Sequence, residues 1–248
     1  MYCLIKNPNQ IKVKTVQITI RYITLAILAL TFTQCKVNSF SLSKNGLVAY
    51  YPFNGNAHDE SGNNNNGAVY GANLTTDRHN KARKAYEFDG IDDHINTFSI
   101  FDYPYRTVSL WVYSYDIHGT SPHNHVAIAQ DSPLNSYGLI TVAFADGMLG
   151  LNAGGSNSAH FFKNVMENTW YHLALVRNGN QSLYYVNGKL VAQGVTGKLA
   201  STALPNPHFI IGSGRSTKYQ FFSGKIDDIA IYNRALDQNE IRALYNSK

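Results

Sequence analysis

The sequence predicts an all-β protein of antiparallel strands, and three observations carry that expectation. Residues 169–193, TWYHLALVRNGNQSLYYVNGKLVAQ, hold two apolar runs rich in aromatic and β-branched residues, 170–176 and 183–186, split by the turn formers Asn178, Gly179 and Asn180. Next, Asn187-Gly188 is the dipeptide that accepts positive φ at both central positions of a tight hairpin turn, and Leu190-Val191-Ala192 resumes a strand beyond it. Finally, residues 107–115 alternate with a period of two. The first two observations make a three-strand meander. In its first strand Tyr171, Leu173 and Leu175 face one side and Trp170, Ala174 and Val176 the other, so it belongs inside a sheet that is covered or used on both faces.

A chain of 248 residues that is 44% hydrophobic and 12% aromatic can bury a sizeable core and lacks the charge excess of a disordered protein. One principal domain is the simplest reading. The formal charge of +5 is concentrated at the start: Lys6, Lys12, Lys14 and Arg21 precede Cys35 with no acidic residue among them, leaving 17 basic against 16 acidic residues after it. No nucleic-acid partner is therefore expected.

Residues 1–34 read as a secretory signal peptide, because positive residues precede an apolar run at 23–30 that is too short to span a bilayer comfortably. The run ends in LTFTQC (30–35), which resembles the lipobox of bacterial lipoproteins, although Gln34 stands where Gly, Ala or Ser is usual. That resemblance implies acylation of Cys35 and a lipid anchor in the cell envelope, the alternatives being plain secretion to the outside or a retained membrane anchor. Residues 35–45 would be the lipidated start and its Ser-rich tether, and 46–248 the folded domain. With Cys3 in the removed segment and Cys35 acylated, the mature chain has no disulfide, and its stability must come from core burial or a metal. No Cys-His spacing suggests zinc.

Within the domain, 46–53 is a strand that Pro52 places near an edge or near its own end. The Asn-, Gly- and Asp-rich stretch 54–67 makes a loop of tight turns, either simply solvated or offering oxygens to a hard cation such as calcium. Residues 84–90 and 91–95 read as strands. In 107–115, Val108, Leu110 and Val112 share one face with Ser114, and Ser109, Trp111, Tyr113 and Tyr115 share the other. That aromatic face either packs under a second sheet or a loop, or lines a groove where rings stack on a ligand such as a sugar. Strands follow at 125–130, 138–144 and 148–151, the last two joined by an Asp146-Gly147 turn. His118, His123 and His125 invite a metal, but Gly119 and Pro122 make their segment a loop without a fixed scaffold. Residues 209–212 and 221–232 are the closing strands. In the second, Asp227 falls on one side with Ile229 and Ile231, so its carboxylate must meet a cation or a donor. Asp237 then caps a short helix with Glu240 as its third residue and Ile241, Leu244 and Tyr245 as its apolar face.

The blocks LVAYYPF (47–53) with NGNAHDESG (54–62), YEFDGIDD (86–93), TVSLWV (107–112), WYHLA (170–174), LYYVNG (183–188) and GKIDDIAIYNRAL (224–236) occur in the order of a LamG-like jelly-roll domain. The chain from 46 to 245 resembles that domain of the concanavalin A-like lectin/glucanase superfamily. The resemblance implies a two-sheet antiparallel jelly-roll sandwich with about six or seven strands in each sheet. It also implies a structural calcium held by Asp59, the weaker neighbour Asn54, and Asp227. Retaining glucanases need two carboxyl groups about 5 Å apart, carried in this superfamily by a Glu-x-Asp-x-x-Glu strand. The glutamates Glu60, Glu87, Glu167 and Glu240 are not so spaced. The expected function is a non-catalytic extracytoplasmic module that binds glycan, the alternatives being an adhesion domain for a surface protein and a glycoside hydrolase relative. Solvent-facing Trp111 or Tyr113 favours glycan stacking; burial of those rings favours protein contact.

Overall fold

The computed structural model describes residues 42–119, 125–130, 140–154, 159–196, 208–214 and 220–247 of the chain. The leader, Cys35, the first part of the tether and His123 lie outside the described residues. From Leu42 onward the chain forms one compact unit. Among the described residues no helix is long and apolar enough to cross a membrane.

Fifteen strands are described: β1 (Leu47–Tyr51), β2 (Ala68–Tyr70), β3 (Asn73–Thr75), β4 (Ala85–Asp89), β5 (His94–Asn96), β6 (Tyr105–Ser114), β7 (His125–Gln130), β8 (Ile140–Ala145), β9 (Met148–Asn152), β10 (His160–Phe162), β11 (Trp170–Asn178), β12 (Gln181–Val186), β13 (Lys189–Val195), β14 (Phe209–Ile211) and β15 (Ser223–Tyr232). One helix, α1 (Gln238–Tyr245), follows. The strands form two antiparallel sheets. The larger runs β13-β12-β11-β6-β15-β4-β3, with β1 also paired to β15, and the smaller runs β10-β9-β8-β7-β14-β5-β2. This is the all-β sandwich that the alternation and turn signals predict, with a short C-terminal helix.

The meander is β11-β12-β13, and Asn187 and Gly188 take φ of 49° and 71° in its second turn, the two positive values a tight hairpin requires. β11 sits between β6 and β12, in the interior of its sheet as expected. β2, β3 and β10, with three residues each, are too short to show a period and are not legible in the sequence. β5 begins at His94 rather than at Ile91. The Asp89 carboxylate takes the Ile91 N–H at 2.8 Å and the Asp93 carboxylate takes the Asp89 N–H at 3.0 Å, so the intervening residues close a turn.

The core lies between the sheets. Leu110, Val112, Leu173, Leu175, Ile226 and Ile231 from the larger sheet meet Val142, Phe144, Leu149, Leu151, Phe209 and Ile211 from the smaller. Each such side chain contributes about 1.5–3 kcal/mol on full burial. A second apolar cluster lies on the outer face of the larger sheet, where Ala174, Val176, Tyr185, Ala230 and Tyr232 receive Leu236, Ile241 and Leu244. α1 is thus laid against that face. Its start is a capping box: Asp237 accepts the N–H groups of Asn239 and Glu240 while Glu240 accepts that of Asp237. Arg234 fixes Glu240 through two bonds of 2.8 and 2.6 Å.

The last strand corrects one expectation. Asp227 pairs with Trp111 and Ala230 with Ser109, so two residues on β15, Asp228 and Ile229, oppose one on β6, Leu110. That is a β-bulge, and Asp228 inside it takes φ of 47°. The extra residue resets the alternation. Ile226, Ile229 and Ile231 all enter the core, whereas Asp227 shares the outer face with Trp111 instead of the face of Ile229 and Ile231.

Candidate functional site

Asp227 is buried on that outer face, and the cation it requires is Arg78. Arg78 sits in the loop after β3, which Asp77 shapes by accepting the N–H groups of His79 and Lys81 at 2.8 Å each, with Asn80 at φ 60°. Its Nη1 donates to Asp227 at 2.9 Å and to Asp228 at 2.7 Å, and its Nη2 donates to the Ser247 carbonyl at 3.1 Å. Tyr50 donates its hydroxyl to Asp228 at 2.9 Å. One guanidinium faces two carboxylates, so the more buried of the two holds a proton readily. Burial first and the Asp228 charge second push Asp227 up to about 8, against the pull of Arg78. Nothing in the sequence pointed to Arg78. The argument for a partner to Asp227 was available, but no periodicity names a cation 149 residues away.

Around this ion cluster the outer face is aromatic. Trp111 is buried, yet away from the sandwich core. The Arg78 guanidinium lies 4.6 Å from its ring centroid and Tyr245, the last residue of α1, stacks on it at 5.6 Å and 22°. His172, paired with Trp111 across β11 and β6, lies 5.3 Å from the same ring. Burial and the nearby Arg78 charge hold the His172 imidazole down to about 3, so it is neutral, with Nε2 2.9 Å from Ser109 Oγ.

One row further along the strands the face opens. Trp170, Tyr113, Lys225, Glu87 and Asn73 are consecutive register partners across β11, β6, β15, β4 and β3, so they lie side by side on the outer face. Tyr113 packs against Trp170 at 5.4 Å and against Tyr115 at 5.6 Å, and the Lys225 ammonium lies 5.5 Å from its ring centroid. The three rings are half-buried. Tyr115 donates its hydroxyl to Glu87. Beyond them a cavity of about 360 Å³ is lined by Glu87, Asp89, Asp93, Tyr115 and Asn73. The aromatic stripe therefore divides: Trp111 is covered by the chain's own end, while Tyr113 and Tyr115 remain half-open.

The residues expected to hold calcium are each engaged by nitrogen donors. Asp59 accepts the N–H groups of Tyr50, Ser61 and Asn65 at 2.8–2.9 Å, which closes the Asn-rich loop onto β1. Asn54 accepts from the Lys84 ammonium at 2.7 Å. Asp227 faces Arg78. Two of the three oxygens already carry a cation, so Asn54, Asp59 and Asp227 do not fit as one calcium donor set. His125 leans on Asp116 at 3.0 Å and on the Phe221 carbonyl at 3.2 Å, while His118 is exposed.

Comparison with known proteins gives the following. A family model described as the concanavalin A-like lectin/glucanases superfamily matches residues 89–242. No curated protein matches. Domain 4 of AbnA, a GH43 extracellular arabinanase from Geobacillus stearothermophilus solved in complex with arabinotriose, is similar at 21% identity and a TM-score of 0.63, over 82% of this chain and 100% of that one. Trypanosoma rangeli sialidase in complex with sialic acid is similar at 19% identity and a TM-score of 0.61, with 82% of this chain covering 33% of that one. The binding domain of Paraclostridial Mosquitocidal Protein 1 is similar at 21% identity and a TM-score of 0.59, over 82% of this chain and 52% of that one. The chain thus spans the whole of the first but only a third to a half of the other two. At these identities the likeness is one of fold.

Proposed function

Because the chain belongs to the concanavalin A-like lectin/glucanase superfamily, we propose that it is a non-catalytic module that binds carbohydrate on the outer face of its larger sheet. The observation that carries this reading is the half-open ring set Tyr113, Tyr115 and Trp170 beside Lys225, Glu87 and Asn73. A sugar ring presents an apolar face to an aromatic ring and hydroxyls to flanking charged and amide groups, and this row offers both. The row crosses five strands, or four spacings of about 4.8 Å, so it extends about 19 Å. An oligosaccharide of several residues fits that length better than a single ring. Binding rather than hydrolysis is supported by the glutamate spacing and by Glu87, which accepts a hydrogen bond from Tyr115.

A glycan array probed with the purified protein tests the reading. Tyr113→Ala and Trp170→Ala should each weaken binding to a captured oligosaccharide about 3- to 10-fold, as expected for losing one ring contact. A folded protein that retains no glycan would overturn it. The module would work outside the cytoplasm, in the cell envelope, tethered through an acylated Cys35. In that case Cys35→Ala moves the protein from the membrane fraction to the soluble one.

A further inference from the structure

A second cavity, of about 350 Å³, adjoins the ring row and is walled by Arg78, Trp111 and Trp170 together with Tyr245 and Ser247 of the C-terminal segment. Trp170 is common to both, since it also packs on Tyr113. Two of the walls hold an N–H that has no acceptor and is shut away from solvent: Trp111 Nε1 and Arg78 Nε. The neighbouring His172 also has an unpartnered buried ring nitrogen, Nδ1, a donor or an acceptor according to its tautomer. Indole N–H is a donor only, and a buried donor without an acceptor is rare in a folded protein. The indole and guanidinium N–H groups lack acceptors, and Tyr245 and Ser247 of the C-terminal segment lie against the two side chains that carry them.

That segment lies partly in solvent. Tyr245 is 36% exposed although it stacks on Trp111. Beyond it, Asn246 and Ser247 donate to the Arg242 and Leu244 carbonyls within the last turn, and Arg78 Nη2 reaches the Ser247 carbonyl at 3.1 Å. The Arg78 guanidinium is already met by the Asp227 and Asp228 side chains. An acidic sugar would therefore find no unmatched cation among these walls, whereas the hydroxyl and ring oxygens of an uncharged sugar would supply the missing acceptors.

We propose that this cavity is a terminal subsite that takes one uncharged, hydroxyl-bearing ring of the glycan, and that Tyr245 occupies the stacking position on Trp111 until that ring displaces it. The inference rests on the carbohydrate-binding reading above and assigns it a ligand class and a gating residue. Trp111→Phe keeps a ring and removes the N–H, and Tyr245→Ala removes the resident competitor.

The test is a titration of uncharged and uronate-bearing oligosaccharides against the wild-type protein, Trp111→Phe, Tyr245→Ala and Trp170→Ala, with melting temperature recorded for each. Trp111→Phe should weaken binding of the uncharged ligand about tenfold, and Tyr245→Ala should strengthen it about 3- to 10-fold. If Trp111→Phe does not fold, Tyr245→Ala decides the matter alone. Wild-type affinity in both variants, with weakened binding in Trp170→Ala, would sink the subsite and leave the glycan-binding face standing. Tighter binding of the uronate ligand than of its uncharged counterpart also rejects it. A wild-type protein that binds neither ligand removes the underlying reading and this inference with it.

Discussion

Arg78 Nη1 lies 2.9 Å from Asp227 Oδ2, joining the loop after the third strand to a bulge in the last one. Through the same guanidinium the end of the chain is bound at Ser247 and the Trp111 ring is covered. A single side chain thus links the bulge, the C-terminal segment and the aromatic face. Its loss should be felt in all three.

Removing Arg78 leaves two carboxylates without their cation, one of them deeply buried. Arg78→Met should cost about 1–3 kcal/mol of stability, because the buried Asp227 keeps its proton at neutral pH and what is lost is its hydrogen-bond donor and the cation facing the partly exposed Asp228. Urea unfolding at neutral pH measures it; a loss below about 1 kcal/mol would show that the cluster is solvated in the working protein.

The protonation of Asp227 sets a pH dependence. Its folded value is raised from 3.8 to about 8, so between those limits the folded state holds a proton that the unfolded state has released. Stability from this group is therefore fully present below about pH 4 and is lost as pH rises to about 8. The facing groups are Arg78, Asp228 and, further off, Asp77. Asp227→Asn should flatten this fall in melting temperature between pH 5 and 8.

Asp59 has the opposite sign. Burial raises its pKa, but hydrogen bonds from the Ser61 side, Tyr50 and Asn65 outweigh that and hold it below 3.8. Its contribution is present above about pH 4 and is lost as pH falls through its depressed value. Asp59→Ala should destabilise the protein by about 1–3 kcal/mol at pH 7, by leaving three N–H groups of the first loop without their acceptor, and the deficit should shrink in acid.

The helix cap is separable from the ion cluster. Asp237→Ala removes the acceptor for two N–H groups at the start of α1 and should cost about 0.5–2 kcal/mol. Because α1 ends in Tyr245 on Trp111, tryptophan fluorescence should report loosening before global unfolding.

On the open face, Glu87, Asp89 and Asp93 line the cavity at the far end of the ring row, and among the described residues no basic side chain lines it with them. Polyanionic glycans should bind more weakly than uncharged ones, and raising salt from 50 to 500 mM should narrow the difference. Glu87→Gln combined with Asp89→Asn should narrow it at low salt as well.

The class of fold, the meander with its Asn187-Gly188 turn, the capped helix at Asp237 and the two faces of β6 are legible in the sequence, because each depends on local backbone chemistry or on a period of two. Asp227 does have a cationic partner, although the alternation argued for one from the wrong face. That the partner is Arg78 and that Asp227 faces outward emerge from the folded sheet alone, since one bulged residue at Asp228 inverts every side chain upstream of it relative to the strand beyond, and alternation cannot register that slip. The same limit applies to the aromatic stripe. Trp111 and Tyr113 are equivalent in the pattern, and they part company because the helix that follows β15 brings Tyr245 onto one ring and leaves the other half-open, a long-range contact that no local signal records.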